Sequence, residues 1–240
     1  MKIAPSILEI TAKPESKMFY CPNCKRPTIS PKNIREGIVM CAMCASFERQ
    51  RFLHYVYEEE ILKAGKDIKV LQFAPEKSVY DSVGKFENVD YTCCDLMPEL
   101  YPYAKGIVQE DGMNLSFEDK SFDIIIHNHI LEHMPDDIRF LEETKRILKN
   151  DGKIIASIPF YKDELCDDSF TSDEDRIEHY GQADHLRRYG KDILDVLKLD
   201  GLNIEIINQN SYLTNQELES IKAFQDISGD LYMIMTKEGK

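Results

Sequence analysis

From residue 67 onward, short apolar runs alternate with longer stretches in which apolar positions recur every three or four residues. The runs at 68–73, 90–94, 106–109, 122–127, 153–158, 203–207 and 231–236 read as strands, being brief and rich in β-branched and aromatic residues. The stretches at 77–85, 137–149, 191–199 and 215–223 carry the helical period. Alternation of strand and helix predicts an α/β fold: a doubly wound, mostly parallel sheet with helices on both faces. A longer segment separates the last two strands, so that end of the sheet is expected to depart from simple parallel order. Ahead of the first strand, apolar residues at 52, 53, 56, 57, 61 and 62 predict a helix ending near Gly65.

The pattern before that helix is different. Cys21-Pro22-Asn23-Cys24 is followed, after sixteen residues, by Cys41-Ala42-Met43-Cys44. Each CxxC forms a tight turn that points two sulfurs at one ion, and two facing turns complete a tetrahedral thiolate site. Residues 34–40, which include Gly37, are expected to form a short hairpin that brings the turns together. Four thiolates leave no open coordination position, so Cys21, Cys24, Cys41 and Cys44 are expected to hold a structural zinc. A segment this short has little core, and metal binding then supplies much of its folding energy. The chain divides into a zinc-ribbon-like module with the start of the linking helix, residues 1–55, and a main domain, residues 56–240. Arg49 and Arg51, at the helix start, are candidates to bind a ligand, but such residues more often pair with acidic neighbours on the surface, which is the expectation here.

Charge sharpens this division. The 240 residues carry 30 Lys and Arg against 43 Asp and Glu, a net of −13. Residues 1–55 hold nine basic and four acidic side chains, a net of +5, which leaves −18 for the remainder. An acidic main domain is a poor match to a phosphate backbone. The basic front end is accounted for by a segment that gathers thiolates, so nucleic acid is not the favoured partner. No stretch approaches the roughly 20 apolar residues that span a bilayer. Residues 1–16 lack the apolar run of a secretory signal. With seven cysteines, four of them in CxxC pairs, metal is favoured over disulfides, and a cytoplasmic location is expected.

In a doubly wound sheet, ligands bind outside the carboxyl ends of the strands. The first strand runs into Phe73-Ala74-Pro75-Glu76, the second ends at Asp95-Leu96, and the third is followed by Asp111-Gly112-Met113. The fourth ends at His127-Asn128-His129, with Glu132-His133 just beyond. A carboxylate at the end of the second strand suits a ribose diol, because it accepts from both hydroxyls. One after the third strand suits an adenine amino group.

These residues, together with 111–117, Asp119-Lys120-Ser121-Phe122-Asp123, Leu131-Glu132-His133-Met134-Pro135-Asp136 and the helix and turn at 141–152, resemble the class I S-adenosylmethionine-dependent methyltransferases of the type 11 kind. The resemblance covers about residues 67–236. It implies a seven-stranded, Rossmann-like sheet and transfer of a sulfonium methyl group. It assigns Asp95 to the ribose and Asp111 to the adenine, with Met113 or Leu96 on the ring, and places Asn128 and His129 near the methyl donor. One departure stands out. The family usually ends its first strand with an acid and alternating glycines, where this chain has Gln72, Ala74, Glu76 and Ser78. It is similar to a subgroup that joins a CxxC module, an Arg-rich helix start and a Phe-Ala-Pro-Glu turn to this domain. There Glu76 is expected to meet the cofactor's ammonium group.

After the fifth strand, residues 181–190 concentrate Asp184, His185, Arg187, Arg188 and Tyr189 between two glycines. A similar motif occurs at this place in the subgroup, where class I enzymes commonly build the acceptor pocket. Asp184, His185, Arg187 and Tyr189 are the candidate acceptor-binding residues, with Arg187 suited to an anionic group. The alternative is a structural network that folds the segment over the sheet. Methyl transfer from a sulfonium is an in-line displacement, so the enzyme chiefly holds the reactants in near-attack geometry. An oxygen acceptor needs a base; His185 is the first candidate and His129 the second. His127, His129, Glu132 and His133 also read as a metal site. The Leu-Glu-His-Met-Pro-Asp run is common in the family without metal, however, so His129 is expected to line the cleft and His133 to orient the helix.

The expected activity is methyl transfer from S-adenosylmethionine to a sugar, glycan, small metabolite or peptide. Two rivals are an RNA methyltransferase that captures substrate with the basic module, and a non-catalytic zinc-containing adaptor on a degenerate fold. Retention of both Asp95 and Asp111 argues against the adaptor.

Overall fold

A computed structural model describes residues 18–29, 39–223 and 229–238. Strands β3 (Ile68–Phe73), β4 (Val89–Asp95), β5 (Val108–Gln109), β6 (Phe122–Asn128) and β7 (Leu148–Tyr161) lie parallel in one sheet. Strands β9 (Leu202–Ile206) and β10 (Asp230–Lys237) complete the order β5-β4-β3-β6-β7-β10-β9. β10 runs antiparallel to both β7 and β9, which is the expected departure at that end. A two-residue strand, β8 (Tyr189–Gly190), pairs with the far end of β7. β6 is buried along nearly its whole length, as a central strand covered on both faces must be.

Side chains alternate between two cores. On one face Leu71, Phe73, Ile125 and Ile154 pack against Phe140 and Leu141 of α3 (Asp137–Ile147) and residues around α5 (Ile193–Val196). On the other, Val70, Ile124, Ile126 and Ile155 meet α1 (Glu48–Ala64), α2 (Lys77–Val83) and α6 (Asn215–Ile221). The helix expected at 191–199 contracts to α5, and the strand expected at 106–109 to β5. An additional helix, α4 (Asp173–Tyr180), starts where Ser172 accepts from the Asp175 amide at 3.1 Å and ends at Gly181, whose φ is +89°. Only Tyr180 of that helix is buried, so its sequence carries no apolar stripe.

The front module contains β1 (Phe19–Cys21) and β2 (Arg26–Thr28), an antiparallel pair closed by the first CxxC turn. The hairpin expected at 34–40 falls largely outside the described residues. α1 joins this module to the sheet, and Arg51 binds the two together. Arg51 was expected at the surface, but it is fully buried. It donates to the carbonyls of Ile221 (2.6 Å), Ser46 (2.7 Å) and Val39 (2.9 Å), and its guanidinium lies 4.8 Å from the Phe19 ring centroid. Fixed carbonyls take the place of an acidic partner and satisfy its donors. Among the described residues no helix is long and apolar enough to cross a membrane.

Candidate cofactor and acceptor site

The strand order reverses between β3 and β6, so a crevice opens at their carboxyl ends. Both strands leave the sheet through a residue in left-handed conformation: Ala74 with φ +42° and His129 with φ +53°. Such backbone is costly for residues other than glycine and persists where surrounding contacts impose it. The Ala74 amide donates to the Cys94 carbonyl (3.0 Å). Glu76 receives Arg49 as an ion pair, Gln50 Nε2 at 2.6 Å and Asn128 Nδ2 at 3.3 Å. The loop that lacks glycines is therefore held by the first turn of α1. Asn128 is buried and also donates to the Tyr57 hydroxyl (2.8 Å). In the position of the missing acid, Gln72 is buried and accepts from the Tyr91 hydroxyl.

Asp95 and Asp111 stand further along the same edge. Each uses one oxygen to fold its own turn: Asp95 Oδ1 accepts from the Met97 amide (2.8 Å), and Asp111 Oδ1 from the Met113 amide (2.9 Å). The Glu110 amide donates to the Asp95 carbonyl at 3.0 Å, which ties the two turns together. Gly112 has no room for a side chain, since a Cβ there would sit 2.8 Å from the Phe140 ring. Leu96 is exposed and Met113 half-buried, so both present apolar surface at this edge.

Beyond His129 lies a cleft of about 460 Å³, lined among others by Arg49, His129, Phe160, Tyr180, His185 and Asp230. His129 spans two carboxylates, with Nε2 at 3.0 Å from Asp230 and Nδ1 at 3.4 Å from Glu132. His185 is buried, and its Nδ1 donates to the Tyr180 carbonyl (2.7 Å). Burial lowers the His185 pKa from its ordinary value. Sequence reasoning passed over Asp230 and Tyr180, because the first reads as a strand end and the second as an isolated aromatic.

The 181–190 segment splits between two places. His185 faces the cleft; Arg187 and Tyr189 do not. Arg187 pairs with Asp137 at 2.7 Å and donates to the Met134 carbonyl (2.9 Å), while the Tyr189 hydroxyl donates to Asp137 at 2.7 Å. These two fasten the segment to α3, the structural alternative. Asp184 is exposed, and its carbonyl accepts from His133 Nδ1 (3.1 Å). His133 thus contacts the 181–190 segment. Gly190 is required there, since a Cβ would lie 2.4 Å from the Glu164 carbonyl oxygen. His127 is fully buried, edge-on to Phe140 at 5.2 Å, and stands apart from the cleft.

At the module, one sulfur from each of Cys21, Cys24, Cys41 and Cys44 lies within 4.8 Å of the others. Cys21 and Cys44 are 3.6 Å apart and Cys24 and Cys41 3.8 Å. A tetrahedral zinc with sulfurs about 2.3 Å away sets an edge of about 3.8 Å. Both turns end on a left-handed residue, Lys25 at φ +56° and Ala45 at φ +59°, so they share one geometry. The Met43 amide donates to Cys41 Sγ at 3.3 Å, and Ser46 Oγ lies 3.2 Å from Cys21 Sγ. Burial pushes the Cys24 thiol up to about 11, a shift that a cation bound among the four sulfurs would oppose.

Residues 80–156 match the family model described as a methyltransferase domain. A stretch of 92 residues is 29% identical to the uncharacterized protein MJ1123 of Methanocaldococcus jannaschii; it is 38% of this chain and 43% of that relative. The plantazolicin methyltransferase BpumL, solved with a monoazolic desmethylPZN analog and SAH, superposes with a TM-score of 0.54 at 14% identity, over 80% of this chain and 84% of that one. A SAM-dependent methyltransferase from Archaeoglobus fulgidus superposes with a TM-score of 0.50 at 18% identity, over 78% and 94%. The strand order and the matched segment agree: residues 80–156 resemble a methyltransferase domain, and the chain has the fold of the S-adenosylmethionine-dependent methyltransferases it superposes on.

Proposed function

We propose that this protein transfers the methyl group of S-adenosylmethionine to a small-molecule or glycan acceptor seated in the cleft beside His129 and His185. The observation that carries the reading is that His129, the left-handed end of β6, lines this cleft and stands on the same carboxyl edge of the sheet as Ala74, Asp95 and Asp111. Asp95 receives the ribose hydroxyls on its second oxygen and Asp111 the adenine amino group, with Met113 or Leu96 against the ring. Phe73, Ala74, Pro75 and Gly112 shape the backbone around the cofactor. Glu76 takes the ammonium group and Arg49, already beside it, the carboxylate. Asn128 and His129 flank the methyl donor. For an oxygen acceptor, His185 on the cleft wall is the first candidate base and His129 the second.

The four cysteines hold one structural zinc, a role that fits their sulfur spacing and the amide and hydroxyl donors around them. We divide the chain at residue 55, inside α1. The helix start then belongs to the module, while Val56, Tyr57 and Ile61 pack in the methyltransferase core. A cytoplasmic location fits thiols free of disulfide. RNA is a weaker acceptor, because the cleft walls include Glu48 and Asp230.

Thermal melts with and without S-adenosylhomocysteine test the assignment. Asp95→Ala should lose roughly 1–3 kcal/mol of ligand binding and most of the ligand-induced shift. His185→Ala should keep the shift. An undiminished shift in Asp95→Ala would remove the cofactor from this edge.

A further inference from the structure

Beside the acceptor cleft, next to His185 on its wall, lies a polar arrangement that methyl transfer alone does not explain. Glu132 and His133 lie on the single turn Leu131–His133 that follows β6. His185 comes from the segment after α4, and the adjacent Leu186 amide donates to the Glu132 carbonyl at 2.7 Å, which clamps the two segments together. One potential ligand atom from each of Glu132, His133 and His185 lies within 4.8 Å of the other two.

Their hydrogen bonds fix what these atoms are. His185 Nδ1 lies 2.7 Å from the Tyr180 carbonyl and His133 Nδ1 3.1 Å from the Asp184 carbonyl. A carbonyl only accepts, so each Nδ1 carries a proton and Nε2 is the nitrogen left to take a further partner. His185 Nε2 is buried and has no hydrogen-bond partner. Glu132 is 1% exposed, and neither of its oxygens has one; the nearest imidazole nitrogen, His129 Nδ1, is 3.4 Å away. A buried, unpartnered imidazole nitrogen of His185 and an unpartnered buried carboxylate of Glu132 therefore stand in one cluster with His133. Leaving such groups buried and unmatched costs several kcal/mol, and a cation removes the cost. A protonated Glu132 offers one hydrogen and satisfies one acceptor. The Nδ1–H to carbonyl bonds have the form that orients metal-bound histidines.

We propose that Glu132, His133 and His185 hold a divalent transition-metal ion beside the acceptor cleft, whose wall His185 lines, distinct from the four-cysteine site. The inference deepens the proposed function and rests on its placement of the acceptor. Two histidines and a carboxylate suit Mn(II), Fe(II), Co(II) or Zn(II), and three protein ligands leave positions open for an acceptor that enters past His185. The acceptor class that uses such an ion carries a hydroxyl. The ion binds the hydroxyl oxygen and lowers its pKa, and the proton passes to solvent. The oxygen then forms a bond to the methyl carbon as the carbon–sulfur bond breaks, and S-adenosylhomocysteine leaves as a neutral thioether. In this arrangement His185 is a ligand, and the ion replaces it as the means of deprotonation. His127, which the sequence groups with these histidines, is not part of the cluster.

Titration of the zinc-loaded full chain with Mn(II), followed by the loss of the free-ion electron paramagnetic resonance signal, tests this directly. Mn(II) does not compete for four thiolates. The wild type should bind one equivalent saturably, and Glu132→Gln and His185→Asn should each bind at least about tenfold more weakly. Melting curves show whether the variants remain folded, and the wild-type titration decides the matter if they do not. Absence of saturable Mn(II) binding in the wild type, or equal binding by folded Glu132→Gln, overturns the proposal. Calorimetry with S-adenosylhomocysteine on the same samples separates the two readings. Binding of that ligand without Mn(II) sinks the metal site alone, and failure to bind it sinks the cofactor reading.

Discussion

At the scale of single residues, the chain keeps several polar side chains in places where an apolar one would be more stable. His127 is the clearest case. It is fully buried, both ring nitrogens lack a hydrogen-bond partner, and burial pushes its pKa from 6.5 down to about 3. The unfolded chain takes up a proton there as pH falls below 6.5, while the native chain does not. The stability tied to the neutral ring is thus fully present above pH 6.5 and is withdrawn as pH falls toward 3, at about 1.4 kcal/mol per unit. His127→Leu should therefore melt higher than wild type at neutral pH and show a flatter decline on acidification. Melting temperatures from neutral pH to about 4 check this; a variant with an unchanged acid limb would remove His127 as its cause. The sequence shows His127 only as one of several neighbouring histidines. Its separation from His185, which is 58 positions away yet belongs to the cleft, depends on which side of β6 each neighbour takes.

At the scale of elements, α1 does work that glycines do in related sheets. Its first turn sends Arg49 and Gln50 to Glu76, and its buried Arg51 gathers carbonyls from the module and from the end of α6. Arg51→Ala should cost about 3 kcal/mol or more, because several buried carbonyls lose a charged donor at once. Arg51→Lys should recover little, since an ammonium lacks the planar fork that reaches them together. Urea unfolding measures both, and a loss below about 1 kcal/mol for Arg51→Ala would contradict the clamp. Zinc belongs to this scale too. Removal by a strong chelator, or Cys41→Ser, should release about one equivalent and lower the melting temperature. Because the module and α1 share Arg51, binding of S-adenosylhomocysteine should weaken in parallel. Elemental analysis beside a binding assay checks the coupling; metal loss with unchanged ligand affinity would confine the module to a separate role. The strands β3, β6 and β10 and the helices α1 and α3 were legible because their apolar positions repeat over a full buried face. α4 and β8 were not, since the first buries one residue and the second is two residues long. Arg51 was misplaced because a charged side chain surrounded by carbonyls leaves no mark in the local pattern.

For the whole molecule, the sheet brings distant segments to one edge: Ala74 and Glu76 after β3, Asp95 at the end of β4, Asp111 beyond β5, His129 after β6 and His185 beyond β7. The acids at the ends of β4 and β5 were readable, because spacing along alternating strands fixes which residues reach the carboxyl edge. The placement of Arg187 and Tyr189 beside Asp137 was not, since it depends on how the segment after β7 folds back on α3. The central claim is that an edge poor in glycine still binds the S-adenosyl cofactor, because α1 arms Glu76 for it. Isothermal titration of the zinc-loaded protein with S-adenosylhomocysteine tests this most directly. The account predicts saturable binding of one ligand per chain, weakened by roughly 1–3 kcal/mol in Glu76→Gln as the ammonium loses a charged acceptor. No saturable heat at millimolar ligand, or full affinity in Glu76→Gln, would contradict it.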